Sequence, residues 1–349
     1  MSFVVRRASL IDDRQEMLEL LDRNVVCPNQ EKEFAWRHIK NPVGEAWVWF
    51  LCDQNKKAVG TVAVFPRRML VDGKLLLCGQ VGGFAVDAPY RSLGPAVLLQ
   101  RTTFELVNSG AVAFCYDCPP HEQRMATFVR LGMPPSCEIH RYAFLFRSDE
   151  FLEAHLGKGI STKLLAVAAN LFVGSRATVA PLPGVQVDEL RGLFGDDFSE
   201  LDKRVPSAGV IRASRSVQLL NWRYRECPGW ESPDYKVLVA RRAGEPLAFL
   251  AFWIERELGR AQISDLFGLE LNSVGPALLD AVIEICQREG LFSLQGYCSS
   301  DSELKPLFTN AGFRRRATFA RVVAYEGSSV SAAILNHGLN WRFTHIDQN

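Results

Sequence analysis

No apolar run in this chain of 349 residues reaches the roughly 20 that cross a bilayer as a helix. The opening MSFVVRRASLIDD also lacks the pattern of a secretory signal. Neither sign of charge predominates, since 40 Lys and Arg stand against 39 Asp and Glu, a formal charge of +1. That balance argues against nucleic acid or an anionic membrane as the main partner, because both select for basic surfaces. The nine cysteines are odd in number and lack framework spacing, so a disulfide-stapled secreted domain is excluded. They read as reduced thiols serving as small core residues. Together these absences predict a cytoplasmic chain without a membrane span.

The chain does have apolar content, 48%, enough to bury two cores of about 150 residues each. It also repeats itself. WRHIKNP at Trp36 returns as WRYRECP at Trp222, and LGPAVLL at Leu93 returns as VGPALLD at Val274. SGAVAFCYDC at Ser109 corresponds to EGLFSLQGYC at Glu289, and FVRLGM at Phe128 to FTNAGF at Phe308. Four blocks in the same order at an offset of about 180 residues predict two copies of one fold.

The most specific segment is AVDAPYRSLGPAVLLQ, Ala85 to Gln100, which puts Arg91, Gly94 and Ala96 between a strand and a helix. Unpaired N–H groups and the positive end of the macrodipole make a helix start an anion site. Gly94 permits close backbone approach, Pro95 suits a first helical position, and Arg91 adds a fixed charge. The spacing Arg, two residues, Gly, one residue, Ala resembles the acyl-CoA signature of the GNAT acyltransferases. The order of elements is similar too. A helix at Asp13–Asn24 precedes strands at Ala46–Cys52, Val59–Pro66 and Lys74–Gly79, the last feeding the strand GGFAVDA. Beyond the loop come a strand at Ala111–Tyr116, a short helix and a strand at Arg141–Arg147.

The resemblance covers roughly residues 3 to 148 and implies an α/β (α+β) fold of two tandem GNAT-like domains, each a mixed, mostly antiparallel sheet flanked by helices. The expected division is 1–148 for the first domain, 149–183 for a helical connector, 184–330 for the second domain and 331–349 for a C-terminal segment packed on the fold. It further implies a site for acetyl-CoA or another acyl-CoA at Phe84, Ala85, Val86, Arg91, Ser92, Leu93, Gly94, Pro95 and Ala96. In the second copy Asn272 stands where Arg91 does, so that half keeps Gly275, Pro276 and Ala277 without the charge.

Direct attack of an amine on a thioester needs a base, an oxyanion donor and an acid for the departing thiolate. The backbone near Val86 supplies the donor. The tyrosine that relatives place four residues before the helix-ending glycine is Phe128 here, and the strand Cys78–Asp87 carries no glutamate. A thiol of pKa near 8.5 leaves acceptably without an acid. Candidate bases are His121, by intrinsic pKa, and Asp117, each with a bland alternative as a capping or turn residue beside proline. The pairs Trp36-Arg37 and Trp222-Arg223 fall where such folds line the acceptor side, so Trp36 and Arg37 are candidates to grip a substrate ring or carboxylate. Their duplication also fits a tryptophan that plugs the core.

Cys115 and Cys118 have half of a zinc spacing, but no second pair completes a site, and no metal is expected. The connector segment STKLLAVAANLFVGSRA has Leu164, Leu165, Val167, Ala168 and Leu171 at helical spacing, as for an interdomain packing helix. Near the C-terminus, Trp341, Phe343 and Ile346 read as anchors, with Arg342, His345 and Asp347 left polar.

The function these residues imply is acyl-CoA-dependent N-acyl transfer, acetyl first, to an amine of a small molecule resembling an amino sugar or amino acid. The second copy would complete the acceptor pocket or form a homodimer surface. Two alternatives stand beside it: a Fem-like aminoacyl transferase, which the neutral charge disfavours, and a non-catalytic ligand-binding or scaffold protein, which the missing Tyr and Glu favour.

Overall fold

The computed structural model describes residues 3–25, 30–119, 122–133, 135–147, 182–229, 231–232, 234–327 and 338–347. The connector helix expected within 149–183 lies outside them, apart from its last two residues.

The first half runs β1 (Val4–Ala8), α1 (Arg14–Asn24), α2 (Gln30–Phe34), a π-helical turn (Ala35–Ile39), β2 (Trp47–Cys52), β3 (Ala58–Val71), β4 (Lys74–Val86), α3 (Leu93–Asn108), β5 (Cys115–Asp117), α4 (Glu122–Arg130) and β6 (Pro135–Leu145). The second runs β7 (Val185–Glu189), α5 (Asp196–Arg204), β8 (Val210–Ala213), α6 (Val217–Tyr224), β9 (Tyr235–Arg242), β10 (Glu245–Glu255), β11 (Arg260–Gly268), α7 (Leu271–Arg288), β12 (Ser293–Ser299), α8 (Leu304–Asn310) and β13 (Arg314–Tyr325). A short β14 (Asn340–Trp341) follows.

Strands β2 and β3 read as nearly continuous apolar runs because both sheet faces are covered. Helix α1 buries Met17, Leu20 and Leu21, one stripe at helical spacing, and α7 does the same with Val274, Leu278, Val282 and Cys286. The strands expected at Lys74–Gly79 and at GGFAVDA are one strand, β4, whose hairpin with β3 extends from Val71↔Lys74 to Gly60↔Val86.

All these strands join one sheet in the order β1-β2-β3-β4-β5-β13-β6-β12-β11-β10-β9-β7, with β8 and β14 at its side. The centre of that order is reciprocal. β13, late in the second half, pairs with β5 through Val323↔Asp117, while β6 of the first half pairs with β12 through Ser293↔Leu145. Each half thus supplies a strand that flanks one of the other's, β13 beside β5 and β6 beside β12, and β6 and β13 also pair with each other. The cores beneath them are shared: Phe114 and Tyr116 of β5 pack in one cluster with Tyr297 of β12, Val322 of β13, Trp341 and Phe343.

Candidate functional site

The cleft of the first half is made by a strand that parts from its neighbour. β4 runs parallel to β5 at Gly79↔Cys115 and Gln80↔Tyr116, and the edge from Val81 to Val86 pairs with no strand on that side among the described residues. A bulge shapes this edge, since Ala63 pairs with Gly82 and Thr61 with Ala85, which leaves Gly83 and Phe84 opposite one residue. Gly83 makes the bulge possible: its φ is +55°, and a Cβ there would lie 3.1 Å from the Cβ of Ala63.

Beyond β4, Ala88–Tyr90 form a tight turn and Ser92, in an extended conformation, leads into α3. No side chain caps the first N–H groups of α3, and its first turn carries no acid, so the end is available to an anion. Ser92, Leu93 and Gly94 are exposed, and nothing among the described residues lies within 4 Å of a Cβ added at Gly94. Pro95 is the third helical residue rather than the first; its absent N–H is still one the helix would leave unpaired. Ala96 follows it on the half-covered side. Arg91 is exposed, and its guanidinium folds back over the strand end, Nε donating to the Val86 carbonyl (2.9 Å) and Nη2 to Asn24 Oδ1 (3.0 Å). Asn24 in turn donates to Asp87 (2.7 Å), which also pairs with Arg23 (3.0 Å). Burial pushes the Asp87 carboxyl up, but the bonds from Arg23 and Asn24 outweigh it and hold the group below its usual value. Phe84 is half-buried, while Ala85 and Val86 lie in the core.

The corresponding place in the second half is closed. A Cβ at Gly275 would sit 2.6 Å from Leu307 Cδ2, because α8 packs directly on the start of α7. The matching strand opening, where β11 leaves β12 after Gln262↔Gln295, is filled by the chain's own residues 343–347. Phe343 bonds through its backbone N–H to Ser299 Oγ (3.2 Å) on β12, and Thr344 Oγ1 donates to Asp265 (2.8 Å) on β11. Arg215 ties this plug down, bonding Asp265 (2.7 Å) and Asp347 (3.0 Å) in full burial. Trp341, Phe343 and Ile346 are buried, and so, against expectation, is Asp347; a core arginine gives its carboxylate a partner.

Asp117 is buried at the end of β5, and its Oδ1 accepts the N–H of Cys118 (2.7 Å), the capping geometry of a turn carboxylate. His121 lies outside the described residues. Phe128, in the place of the relatives' tyrosine, is buried beside Phe104 and Met133. Cys115 packs under α3 and Cys118 against the other face, and no metal-binding cluster occurs among the described residues.

Trp36 is 7% exposed, its ring stacked on Trp222 with centroids 4.6 Å apart. Arg37 lies over Phe65 (5.2 Å), and Trp36 and Arg37 line a cavity of about 230 Å³ between the halves. Glu33, Arg223, Tyr235, Trp253 and His345 share that lining, and apart from the duplicated Trp-Arg pair no motif singles these residues out. A second unforeseen residue is Tyr116, fully buried where β4 and β5 part, with a hydroxyl that has no hydrogen-bond partner.

Residues 5–122 match the model of a family described as an acetyltransferase (GNAT) domain. This part of the chain is similar to a GNAT domain. It contains the β4 bulge and the α3 start, so the chain carries a transferase domain of the acyl-transferring class. The GNAT fold extends over the whole chain in solved structures. A GCN5-related N-acetyltransferase from Anabaena variabilis aligns over 95% of this chain and 74% of its own with a TM-score of 0.66 at 13% identity. Saccharomyces cerevisiae N-myristoyltransferase with bound myristoyl-CoA aligns over 94% of this chain and 83% of its own, with a TM-score of 0.60 and 15% identity. No curated protein matches the chain in sequence.

Proposed function

We propose that the chain transfers an acyl group, acetyl the first candidate, from acyl-CoA to an amine of a small molecule, with the cofactor in the first-half cleft. The observation that carries this reading is the contrast between the two glycines: the space at Gly94 is open, while that at Gly275 is filled by Leu307. In this reading 1–148 is the cofactor domain, 184–330 a second GNAT-like domain with a closed loop, 149–183 their connector and 331–349 the closing segment.

The α3 start would hold the pyrophosphate through the N–H groups of Leu93 and Gly94, with Ser92 and Arg91 beside it. The bulged edge Phe84–Val86 would pair with the pantetheine amides, and a backbone N–H there would meet the oxyanion. The amine lone pair attacks the thioester carbon, a C–N bond forms, the C–S bond breaks, and the thiolate takes a proton from water. The amine's proton passes to a base, with His121 and Asp117 the candidates; Asp117 would have to release Cys118 to act. The buried setting of Trp36 favours its structural role, which leaves Arg37 as the substrate contact of that pair.

A non-catalytic, ligand-binding reading is favoured by one observation, the buried Phe128 where relatives keep a proton donor. Native mass spectrometry for retained acyl-CoA, followed by thiol release on adding amines, separates the two. Bound acyl-CoA with thiol release supports transfer, bound acyl-CoA without release for any amine supports the second reading, and no acyl-CoA binding removes both.

A further inference from the structure

The cavity of about 230 Å³ between the halves is set apart from the α3 start, and its lining has a definite chemistry. Its volume equals roughly eight waters at about 30 Å³ each, the scale of an amino acid. Four cations line it, Arg37, Arg223, Arg225 and Lys236, against one acid, Glu33. Arg225 donates to the carbonyls of Gly192 (2.9 Å) and Leu190 (2.6 Å), Lys236 pairs with Glu189 (3.7 Å), and Arg37 has partners of its own besides the Phe65 ring. Arg223 lies over the Trp36 ring (5.4 Å) and makes no hydrogen bond or ion pair among the described residues.

The apolar part of the wall comes from Trp253, Phe252 and Val237. His345 completes it, with an Nδ1 sealed from solvent that has no hydrogen-bond partner. Burial, with Arg223 adding to it, pushes the imidazole down to about 3, so the ring is a neutral group with an open hydrogen-bonding atom. Arg223 lines a second small space with Tyr116 and Asp347, and the Asp347 carbonyl accepts from Gln80, the last β4 residue paired to β5.

We propose that this cavity holds the acceptor, an amine that also bears a carboxylate, such as an apolar amino acid, with its carboxylate between Arg37 and Arg223 and its side chain on Trp253. Glu33 is the one acid among the described residues of the lining, and it faces the ammonium group. The assignment rests on the acyl-transfer reading in naming this ligand the acceptor, whereas the binding itself is independent of acyl-CoA.

Calorimetry on the full chain with phenylalanine and phenylalaninamide tests it, since the amide keeps the amine and ring and lacks only the carboxylate. Phenylalanine is expected to bind at least about tenfold more tightly, the scale of a charge-assisted guanidinium–carboxylate pair. Arg223→Gln should remove that preference, and Trp253→Leu should weaken both ligands while keeping it; melting temperatures of both variants report folding. Equal affinity for the two ligands, no binding of either, or an unchanged preference in folded Arg223→Gln overturns the proposal. Acetyl-CoA is titrated separately. Carboxylate preference without acetyl-CoA binding overturns only the acyl-transfer reading, and acetyl-CoA binding without the preference overturns only this one.

Discussion

Trp36 and Trp222 hold each other by a reciprocal pair of hydrogen bonds: the indole N–H of Trp36 donates to the Trp222 carbonyl at 2.8 Å, and that of Trp222 to the Trp36 carbonyl at 3.1 Å. The rings stack between these bonds, tilted by 21°, with Arg67 over one and Arg223 over the other. The two repeated motifs therefore meet each other across the molecule.

Replacing either tryptophan by phenylalanine removes one buried N–H bond and strands a carbonyl, a cost of about 1–3 kcal/mol. Because the bonds share one geometry, the double variant should fall short of the sum, with a coupling of about 0.5–3 kcal/mol in urea unfolding. Strict additivity would show that the pair does not act as a unit.

Arg91→Ala should weaken acyl-CoA binding by about 1–3 kcal/mol, the range for a charge-assisted bond, or roughly 5- to 150-fold. Asn272→Ala, at the closed counterpart, should leave affinity as it was. Titration calorimetry with acetyl-CoA reads both, and an equal effect at the two positions would contradict the assignment of the cofactor to the first half.

Gly83→Ala forces an L side chain into a left-handed conformation against Ala63. The expected cost is about 1–2 kcal/mol of stability from the backbone alone. A larger relative loss of acyl-CoA affinity than of stability would show that the bulge shapes the cleft, and an equal Ala variant at exposed Gly110 serves as the control for glycine loss.

His38 is buried between Phe34 and Phe65, its Nδ1 3.2 Å from the Phe34 carbonyl. Burial, reinforced by Arg37, pushes its pKa from 6.5 down to about 3. A depressed histidine binds its proton in the unfolded chain first, so its contribution is complete above the unfolded pKa of about 6.5 and is lost as pH falls from there toward about 3. The slope due to this one group is about 1.4 kcal/mol per pH unit. His38→Gln should flatten the stability curve between pH 6 and 4 by roughly that slope, measured by urea unfolding; an unchanged slope would mean the ring is not held neutral.

Arg215→Met leaves Asp265 and Asp347 facing each other without their cation. Burial already pushes the Asp265 carboxyl up, so the uncompensated pair should cost about 3–5 kcal/mol. The loss should be visible as a lowered midpoint in denaturant, and exposure of Trp341 to quencher would show that the C-terminal plug has come loose.

Much of the fold is legible in local sequence, because it rests on short-range physics. The periodicity of α1 and α7, the apolar runs of β2 and β3, and the turn at Gly94 follow from which residues stand three, four or two apart. Trp341, Phe343 and Ile346 announced their burial by size alone. Asp347 did not, since its burial depends on Arg215, 132 positions away. Tyr116 and His345 were equally hidden, because a polar group without a partner is recognised only once its neighbours are known.

The sequence by itself determined the four repeated blocks, and which of the two matching loops carries an arginine and which an asparagine, since these are facts of order and residue type. Tertiary structure alone decided that β13 flanks β5 and β6 flanks β12, each across the halves, that Leu307 and the residues 343–347 close the second cleft, and that Trp36, Arg37 and Arg223 of the two Trp-Arg pairs border one cavity. Those outcomes depend on contacts between residues more than a hundred positions apart or on side-chain packing around a turn, and no local pattern encodes which distant partner will fill a given space.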